Sequence, residues 1–421
     1  MVLFIITSVK IYDGGPMKIL RSFAVLLAIF TVFSFSQQVE EKAKSVAGII
    51  GDWRKYSHPD VILSRILKGY RLDGKGEYPE LKLVSVYRDT PSEKDLCDQL
   101  SREYQFSICE TVEEALTLGT ESLAVDGVFI ITEHGRYPVS ETGQILRPNR
   151  KLFEKVVDVF KKSNRVVPVF IDKHIATYWE DIRWIYETAE KMKIPLMAGS
   201  SVPVSWRYPP VDVDKHSKLK EIVGISFLTL DGSGFHGLEM IQCLAEQRKG
   251  GETGIKSVQC ITGEDVWKEG KIFDKNLLDM AAERLGRKIP EGKTIKDIVV
   301  EPVLFVIDYY DGLRACLFTL NGFANQWTAA WKYADGKIQS TLFKLDNNLS
   351  TLMHSAHQMK GVEKMILTGK PSWPVERTVL TSGALDALLK SKSQGGKVII
   401  TPYLKIGYKS FWRWQQPPGS P

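Results

Sequence analysis

A lysine, a histidine and a glutamate offer most of the proton chemistry that can be placed from this sequence. Lys173 and His174 follow the apolar run Val166-Val-Pro-Val-Phe-Ile-Asp172. That run reads as a buried strand, and in open parallel sheets ligands bind just beyond the carboxyl ends of strands. A lysine there reaches a substrate oxygen as acid, base or orienting cation, when burial or a neighbouring charge tunes it. His236 opens an expected helix from Gly237 to Arg248, and an imidazole suits proton transfer near neutral pH. Glu239, one turn along that helix, is placed to orient it. His174 and His134 also stand at strand ends. His354 and His357 share a helix face at i, i+3 without a third ligand, so no metal site is expected. The plainer alternatives are a solvent-facing lysine and hydrogen-bonded core histidines.

The elements that must position these groups alternate between strand and helix. Val46 to Gly51 is a first strand, and His58 to Tyr70 a helix with apolar residues at Val61, Ile62, Ile66 and Leu67. Leu81 to Tyr87 is a second strand, ending in Arg88-Asp89. Ser92 to Tyr104 opens with Ser-Glu-Lys-Asp, a capping box, and Val112 to Leu118 forms a short helix. Val125 to Ile131 is a third strand, ending at Thr132-Glu133-His134, and Lys151 to Lys162 is the next helix. After Lys173, a helix to Lys191 and a strand from Ile194 to Gly199 complete a βαβ crossover. The alternation predicts α/β architecture, a Rossmann-like doubly wound parallel sheet over residues 45–204.

Past about residue 205 the pattern changes. Leu304 to Tyr310 and Leu313 to Leu320 flank Asp311-Gly312, and Gln326 to Tyr333 and Lys337 to Leu345 flank Ala334-Asp335-Gly336. Asp-Gly between alternating runs is a hairpin signal. Residues 205–405 are therefore expected to form an α+β domain with an open, mainly antiparallel sheet, for substrate binding or oligomerisation. A helix over 375–391 closes it, and residues 406–421 read as a loosely ordered tail.

Composition sets looser bounds. The 421 residues are 43% hydrophobic and 25% charged, as in ordinary soluble globular proteins. The net charge of +6 is scattered and forms no basic run, so nucleic acid is not an expected partner. Five widely spaced cysteines make neither a disulfide framework nor a metal pattern. Residues 17–36 run from Met-Lys-Ile-Leu-Arg21 through an apolar core to Ser34-Phe-Ser36, the layout of a general secretory signal peptide. Residues 1–16 precede that second methionine. The apolar core is too short to span a bilayer comfortably. The expectation is an exported protein, periplasmic or extracellular, that begins near Gln37 and has no stable membrane insertion after cleavage.

Three segments, Asp172-Lys173-His174, Pro195-Leu-Met-Ala-Gly199 and Gly234-Phe-His236-Gly-Leu-Glu239, sit in an order of elements that resembles the Gfo/Idh/MocA oxidoreductases over residues 46 to 390. The resemblance implies a Rossmann domain, an open-faced substrate domain, and NAD or NADP as cofactor for a sugar, polyol or glycoside. Lys173 matches the lysine of the family's Glu-Lys-Pro tripeptide, with Asp172 and His174 replacing its neighbours. His236 and Glu239 match the catalytic histidine and the acid three places on. Gly232 stands where the family has an aspartate, and Asp231 lies one position off. The resemblance brings Lys173 and His236 to the interdomain cleft. Candidate catalytic residues are thus Lys173, His236 and Glu239, and candidate substrate contacts are Asp172, His174 and Trp206. Candidate cofactor contacts are Gly51, Asp52, Arg54, Arg88, Asp89, Glu133 and His134.

The first turn departs from the family. A Rossmann turn needs glycines so that the backbone approaches the pyrophosphate. Here Gly48-Ile-Ile-Gly51 is followed by Asp52-Trp-Arg-Lys-Tyr-Ser-His58, with no G-x-G-x-x-G. Weak cofactor binding, or an unusual phosphate contact through Arg54, is expected. Arg88-Asp89 does not choose between NAD and NADP. Three readings remain: an NAD(P)-dependent oxidoreductase, a redox-neutral sugar lyase or hydrolase on the same fold, and a catalytically inactive carbohydrate-binding protein. All three take a small-molecule carbohydrate. The sheet of the second domain is a candidate homo-oligomer surface.

Overall fold

The apolar runs of the first half make a parallel sheet because they are buried on both faces. In the computed structural model, which describes residues 43–268, 272–346, 348 and 351–419, this half contains β1 (Lys44–Ile50), α1 (His58–Lys68), β2 (Leu81–Arg88), α2 (Cys97–Tyr104), β3 (Ser107–Cys109) and α3 (Val112–Thr117). There follow β4 (Gly127–Ile131), α4 (Asn149–Lys162), β5 (Val169–Asp172), α5 (Trp179–Met192) and β6 (Leu196–Gly199). The strand order is β3-β2-β1-β4-β5-β6, all parallel, so the order reverses between β1 and β4. All five residues of β4 and all four of β6 are buried. The signal-like segment lies outside the described residues.

The second half contains β7 (Trp206–Tyr208), β8 (Leu219–Ser226), α6 (Phe235–Ala245), β9 (Ile255–Thr262), α7 (Lys275–Glu283), β10 (Val300–Tyr309) and β11 (Arg314–Asn321). It continues with β12 (Trp327–Tyr333), β13 (Ile338–Lys344), α8 (Met353–Thr368), α9 (Glu376–Ser393) and β14 (Ile399–Ile400). Its open sheet has the order β14-β9-β10-β11-β8-β12-β13-β7, and only β8 and β11 pair in parallel. Both Asp-Gly hairpins form, β10 with β11 and β12 with β13. They are not neighbours, because β8 lies between them and pairs with β11 and β12.

One face of the second sheet packs Phe305, Leu317 and Trp331 against Leu238 and Ile241 of α6 and Leu380 and Leu388 of α9. The opposite face packs Leu304, Val306 and Phe318 against Leu277, Leu278 and Ala281 of α7. The face considered for self-association is therefore partly covered by the chain's own helix. On the first sheet, α4 and α5 cover one face. Ile62 and Leu63 of α1 share the other with Met359, Val362 and Met365 of α8. The late helix α8 thus completes the layer over the first sheet.

Two local expectations are corrected. The helix expected from Ser92 begins at Cys97, because Asp95 instead accepts hydrogen bonds from the backbone N–H groups of Trp53 (2.8 Å) and Cys97 (2.9 Å) and pairs with Arg88. Ser92 to Asp95 forms only a turn. The tail expected to be loose is docked. Trp414 Nε1 donates to the Ser205 carbonyl (2.8 Å), Trp206 Nε1 donates to the Gly419 carbonyl (3.1 Å), and Arg377 and Arg207 stack on Trp412 and Trp414. Among the described residues all five cysteines are buried and unpaired, and no helix is long and apolar enough to cross a membrane.

Ending the chain at residue 410 removes both tail tryptophans and exposes Trp206 and Arg207. The expected loss is at least about 2–4 kcal/mol, from apolar burial and five hydrogen bonds. Urea denaturation reads it as a lower midpoint at nearly constant slope.

Candidate active site

Lys173 stands where β5 releases the chain, and burial leaves its ammonium in need of a partner. Glu133, just past β4, supplies one: Lys173 Nζ lies 3.3 Å from Glu133 Oε1, with both side chains more than nine-tenths buried. Arg147 pairs with Glu133 Oε2 (2.7 Å) and with Asp231 Oδ2 (3.0 Å). Asp231 belongs to a single wide turn, Leu230–Gly234, that leads into α6. That turn also carries Gly232, where a Cβ would lie 3.8 Å from Lys173 Nζ. The sequence therefore sets an acid beside the cluster through Asp231.

His236 lies in the first turn of α6, half-buried, with Nδ1 2.5 Å from Ser200 Oγ just beyond β6. Its ring edges onto Trp327. Glu239 does not meet His236. It is buried beneath the end of β6, accepting from Ser200 N (3.3 Å) and Thr381 Oγ1 (2.6 Å). Gly199 permits that approach, since a Cβ there would fall 2.5 Å from Glu239 Oε2. Glu239 thus holds the backbone of Ser200, whose hydroxyl meets the imidazole.

Burial and paired charge set the protonation states. Burial alone would raise the Glu133 carboxyl, but Lys173 and Arg147 outweigh it and hold Glu133 well below the usual carboxylate range. Burial, with Lys173 and His58 nearby, holds the His236 imidazole well below its ordinary value, so it is neutral at neutral pH. Burial raises Glu239. His174 is pushed down to about 4 by burial and Arg147, and its Nε2 lies 2.8 Å from the Asp231 carbonyl. His174 ties the end of β5 to the turn before α6.

The crevice at the order reversal between β1 and β4 is closed by protein. Gly51 packs against Gly135, and a Cβ on Gly51 would meet Gly135 Cα at 2.9 Å and Tyr137 Oη at 3.1 Å. Asp52 is fully buried, paired with Arg54 (2.8 Å) and accepting from Ser92 N (3.1 Å). Arg54 Nη2 donates to the His134 carbonyl (2.9 Å). The backbone N–H of His58, at the start of α1, donates to His134 Nδ1 (3.3 Å). His134 holds a φ of 68°, uncommon outside glycine and sustained here by its partners. The amide end of α1, which in this fold meets a pyrophosphate, meets an imidazole instead.

Of the other candidates, Arg88, Asp89 and Trp206 are engaged elsewhere, whereas Asp172 adjoins Lys173. Arg88 is committed to Asp95 and Asp98, and Asp89 accepts from Tyr87 Oη (3.2 Å). Asp172 accepts from or pairs with His58 Nδ1 at 2.5 Å. Trp206 packs edge-on against His357 and faces the tail. His354 and His357 belong to no metal-competent cluster among the described residues. Sequence reasoning missed His58, Arg147 and Ser200. His58 had a signal, a histidine beside Pro59 at a helix start, whereas Arg147 lay in a loop with none.

No family model matches the chain, and no curated protein matches it significantly. Solved structures do match in fold. Scyllo-inositol dehydrogenase from Lactobacillus casei, with bound NAD(H) and scyllo-inositol, superposes with a TM-score of 0.55 at 13% identity, covering 85% of this chain and 99% of that one. GenD2 from gentamicin A biosynthesis, in complex with NAD, gives 0.55 at 12% identity, covering 85% and 96%. Myo-inositol 2-dehydrogenase from Lactobacillus plantarum gives 0.51 at 11%, covering 84% and 98%. This chain has the two-domain fold of the inositol dehydrogenases. Within that dehydrogenase fold its residues do not fit a dinucleotide at the usual turn. The buried Asp52 carboxylate, the Gly51–Gly135 contact and the His134 imidazole hold the places that phosphate and its amide donors need.

Replacing Arg147 with Met leaves Asp231 without this partner and Glu133 with Lys173 alone. Breaking such a buried pair is expected to cost about 3–5 kcal/mol at pH 7. In the wild type Glu133 lies below its ordinary 4.5, so its contribution is present above that pH and lost as pH falls through its lower folded value. In the variant, protonating Glu133 relieves the defect. The difference between the two proteins should shrink from pH 7 to pH 4 in urea denaturation.

Proposed function

We propose that this protein acts on a small sugar or polyol by acid–base chemistry in the cleft between its two sheets, without hydride transfer to a dinucleotide at the usual turn. The observation that carries this reading is Lys173 Nζ, buried beside Glu133 and the turn that leads to His236. Lys173 donates to a substrate oxygen and stabilises negative charge there. Ser200 engages His236 Nδ1, leaving Nε2 for the substrate, and a neutral imidazole is suited to hydrogen-bonding and passing a hydroxyl proton. The scyllo-inositol bound to one structural neighbour supports a polyhydroxylated ligand of that size.

The second reading is an NAD(P)-dependent oxidoreductase on the same substrate class. It is favoured by the neighbours that hold NAD and by Lys173 and His236, and opposed by the closed crevice. Under either reading we propose export through the signal-like residues 17–36, with the mature chain beginning near Gln37.

Saturation-transfer NMR with scyllo-inositol and myo-inositol, run with and without NAD, tests the proposal. Inositol contact without any NAD signal is expected, and Lys173→Met should weaken that contact. On a confirmed substrate, Lys173→Met and His236→Asn should each lower turnover by about 10²–10⁴-fold, the range for general acid–base groups. NAD(H) that copurifies or binds at micromolar concentration would install the oxidoreductase reading instead.

A further inference from the structure

The first residue of α1, His58, is a histidine with a carboxylate partner inside the cleft. Its Nδ1 lies 2.5 Å from Asp172 Oδ2; the His58 side chain is 23% exposed and that of Asp172 only 3%. Asp172 immediately precedes Lys173, so one strand end supplies both the carboxylate and the cation. The His58 backbone N–H is held by His134 Nδ1, and the two rings meet edge-on at 5.0 Å. Among the described residues, no group hydrogen-bonds His58 Nε2.

We propose that His58 and Asp172 form a general-base dyad whose His58 Nε2 takes a proton from a carbon next to the carbonyl of a keto-polyol. This rests on the sugar or polyol reading above and names the reaction class. A carboxylate on Nδ1–H fixes the tautomer, leaves the Nε2 lone pair free, and stabilises the imidazolium that forms. Proton abstraction places the C–H electron pair in a new carbon–carbon double bond, and the carbonyl pair moves onto oxygen. The Lys173 ammonium hydrogen-bonds that oxygen, and the His236 imidazole is the neutral donor available beside it. Returning the proton to the same carbon regenerates the carbonyl, with exchange from one face or inversion from the other. No electron leaves the substrate, so the step needs no dinucleotide, in keeping with the amide end of α1 being occupied by His134.

Proton NMR of scyllo-inosose incubated with the full chain in D₂O reads the step directly, with scyllo-inositol as the control that lacks a carbonyl. Deuterium should enter next to the carbonyl of scyllo-inosose alone. His58→Gln should slow incorporation by about 10²–10⁴-fold, and Asp172→Asn by at least about tenfold, as base and orienting partner respectively. Both variants should bind scyllo-inosose within about threefold of the wild type in calorimetry, which separates catalysis from positioning. Asp172→Asn keeps the shape of the pair should His58→Gln not fold. Binding without exchange in the wild type, exchange undiminished by either substitution, or exchange lost only in step with binding overturns the dyad and leaves the sugar-site reading in place. Absence of both binding and exchange overturns the two together.

Discussion

A buried charge must be paired, and in this protein that requirement runs as one chain through the cleft. Lys173 needs Glu133, Glu133 takes a second cation from Arg147, and Arg147 continues to Asp231. The Asp231 carbonyl meets His174, whose backbone carbonyl is held by Asn149. The four ions come from four different turns: Glu133 after β4, Lys173 after β5, Arg147 before α4 and Asp231 before α6. Removing any one leaves an uncompensated ion in low dielectric, so the members are fixed together. The position of Lys173 relative to the helix that carries His236 is therefore an electrostatic property of four loops.

The same logic explains why the usual turn of this dehydrogenase-like fold does not fit a dinucleotide. Phosphate at a helix start needs free amides and room for the backbone to approach. Here a buried aspartate brings its own arginine, two glycines spend their openness on each other, and an imidazole takes an amide. The charges at the crevice satisfy one another within the protein. Shared architecture with inositol dehydrogenases leaves the chemistry to the side chains that remain in the cleft.

The parallel half was legible because each strand is a short apolar run and each helix shows a 3.6-residue period. The two hairpins were legible from Asp-Gly. Strands β8 and β9 were not, since their partners are remote in sequence and no turn announces them. The helix at Cys97 began later than Ser92 because a tertiary demand on Asp95 outweighed a local capping pattern. The tail looked loose by composition, yet Trp412 and Trp414 find arginine planes contributed by α9 and β7. Within the site, Lys173 and His236 could be singled out by residue type and position. The Arg147 bridge could not, because nothing in a loop sequence records which carboxylates it will meet.

Helix α8 has a consequence for how the molecule comes into being. One face of the first sheet is sealed by Met359, Val362 and Met365, which leave the ribosome long after β6 is complete. Until they arrive, that face, with Phe129, Phe170 and Met197, has only the earlier helices α1 and α2 to pack against. The last packing layer of the amino-terminal half therefore comes from residues remote in sequence, and closing it has a long loop-closure cost. A nascent chain of this kind leaves part of an apolar sheet face open from the completion of β6 until α8 is made, an interval in which exposed apolar surface favours aggregation.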